Sequence, residues 1–217
     1  MFYRLMAAHL AADFVFQTRW LVRRKHTPGG MALHIAILAM AIAAVAADRL
    51  AVWWPWLLVV VATHAAIDWA KVRLQPQLRL PPIVPFLADQ AAHILSIVAV
   101  IALADLNGLR IGEAEPLWWI ICVFLAATFG LSIALPLWLD PPNLMQRPAV
   151  ARLTLIAASA LVLTLAWRGW PILIPVVGLG LYEGVARPLA RRPTTETLPI
   201  EFWSAAVLAA ILGWGLA

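Results

Sequence analysis

The sequence predicts an all-α fold, a polytopic membrane bundle of about eight transmembrane helices, and three observations carry that reading. Hydrophobic residues make up 64% of the 217 positions and charged residues only 12%. The mean hydropathy is +0.87, more apolar surface than a water-soluble fold of this size can hide. The apolar residues also fall in runs of the roughly 20 residues that a hydrocarbon core requires, and these runs are separated by charges, prolines and glycines.

The runs occupy about 3–22, 31–50, 55–74, 86–106, 116–138, 150–168, 170–186 and 199–216. His26-Thr27-Pro28-Gly29-Gly30 reads as a turn after the first. Four prolines between Gln75 and Pro85 break the chain after the third. Leu106-Asn107-Gly108 and Asp140-Pro141-Pro142-Asn143 break it again. Arg168-Gly169-Trp170-Pro171 leaves only a tight connection between the sixth and seventh. We read one transmembrane domain over 1–217, with a polar half at 1–106 and a scaffold half at 107–217. Gly180 and Gly184 offer a small-residue pair for close helix packing in the latter.

The net charge of +5 does not point to nucleic acid, because the basic residues stand at the ends of apolar runs and form no single patch. Twelve of the sixteen Lys and Arg residues, including Arg23, Arg24, Lys25, Lys71 and Arg73, fall on the side reached after odd-numbered spans. Arg4, Arg49, Arg110 and Arg168 fall on the other. The positive-inside rule then predicts that both termini lie outside the cytoplasm. The first run contains His9 and Asp13 and its basic cluster follows it, so it does not read as a cleaved signal. Trp53, Trp54, Trp56, Trp118, Trp119, Trp138, Trp170 and Trp203 lie near span ends and read as interfacial anchors. Cys122 is the single cysteine, so no intrachain disulfide forms.

Polar residues inside the spans cost about 2.5–3.5 kcal/mol each at a helix centre and need partners or a purpose. They gather in the first four spans. His9, Asp13 and Gln17 recur every fourth residue, as do His64 and Asp68, followed by Lys71; Asp89 and His93 are again four apart, beside Gln90. His34 lies early in the second span. Measured from the predicted cytoplasmic ends at roughly 1.5 Å per residue, all but His9 occupy one layer between the inner surface and the bilayer middle. His9 falls nearer the far side.

Imidazole and carboxylate ligands on neighbouring helices suit a divalent metal, Zn²⁺ first, with Mn²⁺ and Fe²⁺ also accommodated. His64, Asp68, Asp89, His93, His34 and Asp13 are the candidate ligands. Asp13, Gln17, Lys71 and Gln90 are the candidates for catalytic work: a base, two groups that orient substrate or water, and a cation for an anionic head group. Plainer roles compete with these. His34 near the interface can be solvated, Lys71 can snorkel, Lys25 and His26 read as topological and loop residues, and Glu183 and Glu201 as interfacial ones. The cluster fits a metal-dependent hydrolase acting on a lipid or other amphipathic substrate. It also fits a transporter or ion-coupled carrier, and, less well, a non-catalytic subunit holding a pigment, haem or partner helix, because axial ligation leaves the aspartates unexplained.

The four motifs His9-x-x-x-Asp13-Phe14-x-x-Gln17, His34, His64-x-x-Ile67-Asp68-x-x-Lys71 and Asp89-Gln90-x-x-His93, in that order, resemble a bacterial family of membrane proteins of unknown function, DUF3307. The resemblance covers about 5–97 and implies a shared intramembrane site. Leu153-Thr154 stands where that family shows an acidic-basic pair, and Glu201 matches a glutamate that opens its last helix. A looser similarity is to predicted membrane-bound metal-dependent hydrolases, which also carry His and Asp on transmembrane helices.

Overall fold

A computed structural model describes residues 1–109 and 116–130, together with Ile133, Ala134 and Leu137. The chain divides into two compact units, Met1–Cys122 and Val123–Ala217. Among the described residues every regular element is helical. The predicted spans over 150–168, 170–186 and 199–216, with Glu183 and Glu201, lie outside the described residues.

In the first unit, α1 runs from Phe2 to Leu10 and continues into a π-helical turn at Ala11–Val15. A short helix, α2, follows at Arg19–Arg24. The long helices are α3 (Pro28–Val45), α4 (Leu50–Leu74) and α5 (Ile83–Leu106). Three helical stretches are long and apolar enough to cross a membrane, Pro28–Val45, Ala47–Gln77 and Ile83–Leu106. Their outward faces carry Met40, Val52, Trp54, Leu58, Trp69, Leu95 and Val98, all exposed. Apolar side chains outside and polar ones inside are the reverse of a water-soluble bundle, and they fit a lipid solvent. α6 spans Pro116–Leu125 and continues into a π-helical turn, Ala126–Gly130; most of the remainder of the predicted 116–138 run lies outside the described residues.

The first predicted span, 3–22, is not one continuous helix. The π-helical turn ends at Phe16, and Thr18 adopts an extended backbone whose Oγ1 accepts a hydrogen bond from the Leu21 N–H, opening α2. A threonine that caps a new helix cannot also continue the old one. The predicted turn at 26–30 is shorter than its glycines imply. Thr27 caps α3 through the Gly30 N–H, and Pro28 takes the first helical position, where its missing N–H costs nothing. Gly30 is helical and needed for contact: a Cβ there would collide with the Arg24 carbonyl at the end of α2. After the proline-rich stretch, α5 starts at Ile83 and keeps Pro85 in its first turn, where proline is tolerated. It ends before Gly108, whose φ of +79° suits glycine.

α1 packs on α3 and α5, α3 on α4, and α4 on α5, closing a ring of four. Each long helix turns one stripe inward: Gly30, His34, Leu38 and Ile42 from α3; Trp53, Leu57, Val60, His64 and Asp68 from α4; Asp89, His93, Ile97 and Val100 from α5. Trp53, at 2% exposure, belongs to this core and is not the interfacial anchor its position predicts, whereas Trp54 remains exposed. At the apolar end, Arg4 pairs with Asp48, donates to the Val45 carbonyl at 3.0 Å and lies over the Trp118 ring.

Candidate metal centre

Every buried polar or charged residue among the described residues belongs to one cluster: His9, Asp13, Lys25, His34, His64, Asp68, Asp89 and His93. His34 is six positions into α3, Asp68 six positions before the end of α4, and Asp89 six positions into α5. Helices of alternating direction therefore deliver them to one layer, roughly 9 Å inside the helix ends. The depth agreement predicted for the second to fourth spans holds. His34 is fully buried and not solvated.

His9 is the first correction. It is 2% exposed and sits in the cluster, its ring centroid 4.8 Å from that of His93 and 5.4 Å from that of His64. Counting depth along an unbroken helix over 3–22 put it too far away. Because α1 and its π-helical turn end at Phe16, His9 comes to the same layer as the others. Lys25 is the second. It reads as a topological residue in the sequence, yet it is 8% exposed, and its Nζ donates to Gln17 Oε1 at 2.8 Å and to Asp68 Oδ1 at 3.0 Å. The available signal was electrostatic: three carboxylates among apolar helices need more than the single cation Lys71. His26 is exposed, as its loop position predicts.

Four ligand atoms gather around the His34 and His64 rings: Asp13 Oδ1, His34 Nε2, His64 Nε2 and Asp68 Oδ2. His34 Nε2 lies 3.2 Å from Asp13 Oδ1, 3.0 Å from Asp68 Oδ2 and 3.2 Å from His64 Nε2. His64 Nε2 lies 3.5 Å from Asp13 Oδ1 and 3.3 Å from Asp68 Oδ2. Zinc bonds of about 2.0–2.1 Å in a tetrahedron give ligand-to-ligand edges of about 3.3 Å. Five of the six edges of this quartet match that figure closely. Asp13, His34 and His64 are close enough together to hold a dication, with Asp68 Oδ2 beside them at 2.9 Å from Lys25 Nζ. Asp13, His34 and His64 are one of three overlapping triads with metal-ligand geometry; the others are His9, His64 and His93, and Asp13, Asp89 and His93.

The supporting shell is built from the remaining candidates. Lys71 Nζ donates to Asp89 Oδ2 at 2.7 Å, and Gln90 Nε2 donates to the same oxygen at 3.0 Å. Gln90 Oε1 meets His9 Nε2 at 3.3 Å. Gln17 and Lys71, read from the sequence as substrate-handling groups, here meet Lys25 and Asp89. His93 Nε2 stands 3.4 Å from Asp89 Oδ1, and its ring stacks on that of His64 at 4.0 Å.

Two balances remain open. Three carboxylates face two ammonium groups, so with neutral imidazoles the cluster holds one surplus negative charge in an apolar surrounding. Four of its buried atoms, His9 Nδ1, His34 Nδ1 and both nitrogens of His93, lack a hydrogen-bond partner, while Asp13 Oδ1, Asp68 Oδ2 and Asp89 Oδ1 rest on ion-pair contacts, Asp68 Oδ2 at 2.9 Å from Lys25 Nζ. At about 1–3 kcal/mol each, such a concentration is not tolerated for packing alone. A bound cation answers the surplus charge and gives the imidazole nitrogens that face the cluster a partner.

A family model described as a protein of unknown function, DUF3307, matches residues 1–129, which takes in all of these residues and extends beyond the 5–97 stretch that carries the motifs. No curated protein and no solved structure matches the chain, and none of the comparisons links it to hydrolases. With more than half of its length matched, the chain belongs to the DUF3307 family.

Proposed function

We propose that this chain is a divalent-metal protein of the membrane, whose centre uses Asp13, His34 and His64 with Asp68 beside them, leaving a position for water, and whose chemistry is hydrolysis of a lipid or other amphipathic substrate. The observation that carries the metal is the quartet of two imidazole nitrogens and two carboxylate oxygens with edges of 3.0–3.5 Å. Zn²⁺ suits this donor set best, and Mn²⁺ and Fe²⁺ are also compatible. A bound metal of this kind supplies a water of lowered pKa. The chain's own groups do the rest: Lys25 and Gln17 hold Asp68 in place, Lys71 and Gln90 hold Asp89, and apolar helices exclude bulk water. Lys25, Lys71 and Arg73 lie on the same end as the cluster, while Arg4 and Arg49 lie at the other. That distribution supports a site beneath the cytoplasmic leaflet.

The carrier reading draws on the imidazole stack, in which His9, His64 and His93 rings lie 4.0–5.4 Å apart and offer a relay. The metal reading is stronger because a relay does not require carboxylates gathered on the same two imidazole nitrogens. Protein purified in detergent without chelator should carry Zn²⁺ or another first-row divalent ion by elemental analysis, and Asp68→Asn should lose it. Metal-dependent release of product from ester or phosphoester amphiphiles in nanodiscs supports hydrolysis; flux through proteoliposomes without turnover supports the carrier. Protein with no bound metal that also fails to take one up sinks both the centre and the hydrolase.

A further inference from the structure

Beside the quartet, the cluster holds a second set of ligand atoms, of which only the Asp13 carboxylate is shared with the first metal. They are His9 Nδ1, the Asp13 carboxylate, Asp89 Oδ1 and His93 Nε2. His9 Nδ1 lies 3.9 Å from Asp13 Oδ2, and His93 Nε2 lies 3.4 Å from Asp89 Oδ1. Asp13, Asp89 and His93 converge as one triad with metal-ligand geometry. Two of the four residues expose a bare atom here, since His9 Nδ1 and His93 Nε2 are buried without a hydrogen-bond partner.

The hydrogen bonds around this set fix which atoms are bare. Asp89 accepts only, so the Gln90 group facing its Oδ2 is the amide nitrogen. Gln90 then presents its oxygen to His9 Nε2. An amide oxygen also accepts only, so His9 Nε2 carries the proton and Nδ1 presents its lone pair. A second-residue acceptor that fixes the tautomer of an imidazole is the usual support of a metal-binding histidine. Asp89 is prepared in the same way: Lys71 and Gln90 both hold Oδ2, leaving Oδ1 to the cluster. The pattern parallels Lys25 holding Asp68 beside His34 and His64.

We propose that the cluster is a binuclear centre in which a second divalent cation binds His9, Asp89 and His93, and the Asp13 carboxylate bridges it to the first. This rests on the metal reading of the quartet. Two dications would reverse the cluster's surplus negative charge to a strong surplus of positive charge. The pair therefore calls for a small anion between the ions, and inorganic phosphate is the simplest probe of that class.

The test is a titration of full-length, chelator-stripped protein in nanodiscs with Mn²⁺, followed by elemental analysis and electron paramagnetic resonance. Two ions per chain with an exchange-coupled signal are expected. His93→Ala and Asp89→Asn, each checked for retained helicity by circular dichroism, should hold one uncoupled ion. Inorganic phosphate should tighten the second ion about tenfold in the wild type and leave the single-ion variants unchanged. One ion per chain in the wild type, or two ions retained in both variants, overturns the second site and leaves the mononuclear centre standing. No ion at all overturns both.

Discussion

The inner stripes of α3, α4 and α5 change character partway along each helix, and the two ends of the bundle follow different rules. At one end, His34, His64, Asp68, Asp89 and His93 meet Asp13 and Lys25 through directed contacts of 2.9–3.5 Å. At the other, Leu38, Ile42, Trp53, Leu57, Val60, Ile97 and Val100 fill space. In lipid the second arrangement gains little from transfer out of the solvent, because lipid tails are as apolar as leucine; it gains from dense packing. The first is costly unless charges and hydrogen bonds are answered. A bundle held together for stability alone would use the second kind throughout. That it does not argues that the polar end is retained for what it binds.

This contrast can be broken in several places. His64→Ala removes the imidazole shared by the quartet and the ring stack. Metal affinity should fall by more than the roughly 10–100-fold that a supporting partner costs, read by competition with a chromophoric chelator; unchanged affinity would remove the metal centre. Leu38→Ala, at a fully buried apolar position, should cost about 2–3 kcal/mol of stability with metal content unchanged. If metal is lost along with stability, the two ends are not separable. Lys25→Met keeps the side-chain length but leaves Asp68 without its buried counter-charge, and should weaken metal binding by about 10–100-fold and lower the melting temperature as well. Gly30→Ala should reproduce part of that loss, because the added methyl drives the end of α2, and Lys25 beyond it, away from α3. Asp48→Ala, at an exposed carboxylate of the apolar end, should give the smallest change of the set in melting temperature and none in metal binding.

The helices α3, α4 and α5 were legible because length and apolarity alone define a span, and because a four-residue step places His64 with Asp68 and Asp89 with His93 on one face. Their ends were read a few residues late, since proline and glycine are tolerated in a first helical turn as at Pro28, Gly29 and Pro85. What sequence spacing could not reveal was the break near Gln17. It depends on Thr18 choosing to cap α2, and from it follow both errors at the site: the depth of His9 and the inward reach of Lys25 across eight residues to Gln17. Residue pattern finds ligands on straight helices; it loses those whose placement depends on where a helix stops.

The π-helical turn at Ala11–Val15 adds one consequence. Such a turn is an α-helix carrying a single additional residue, and insertions of this kind are often kept near functional residues. Asp13 owes its aim to that extra residue. Deleting Ala12 would return the segment to ordinary α-helical register and move Asp13 one residue nearer to His9, because the turn itself absorbs the extra residue. Length in this short stretch is therefore constrained as tightly as side-chain identity, and a relative with one residue fewer between His9 and Gln17 would need another carboxylate to reach His34 and His64.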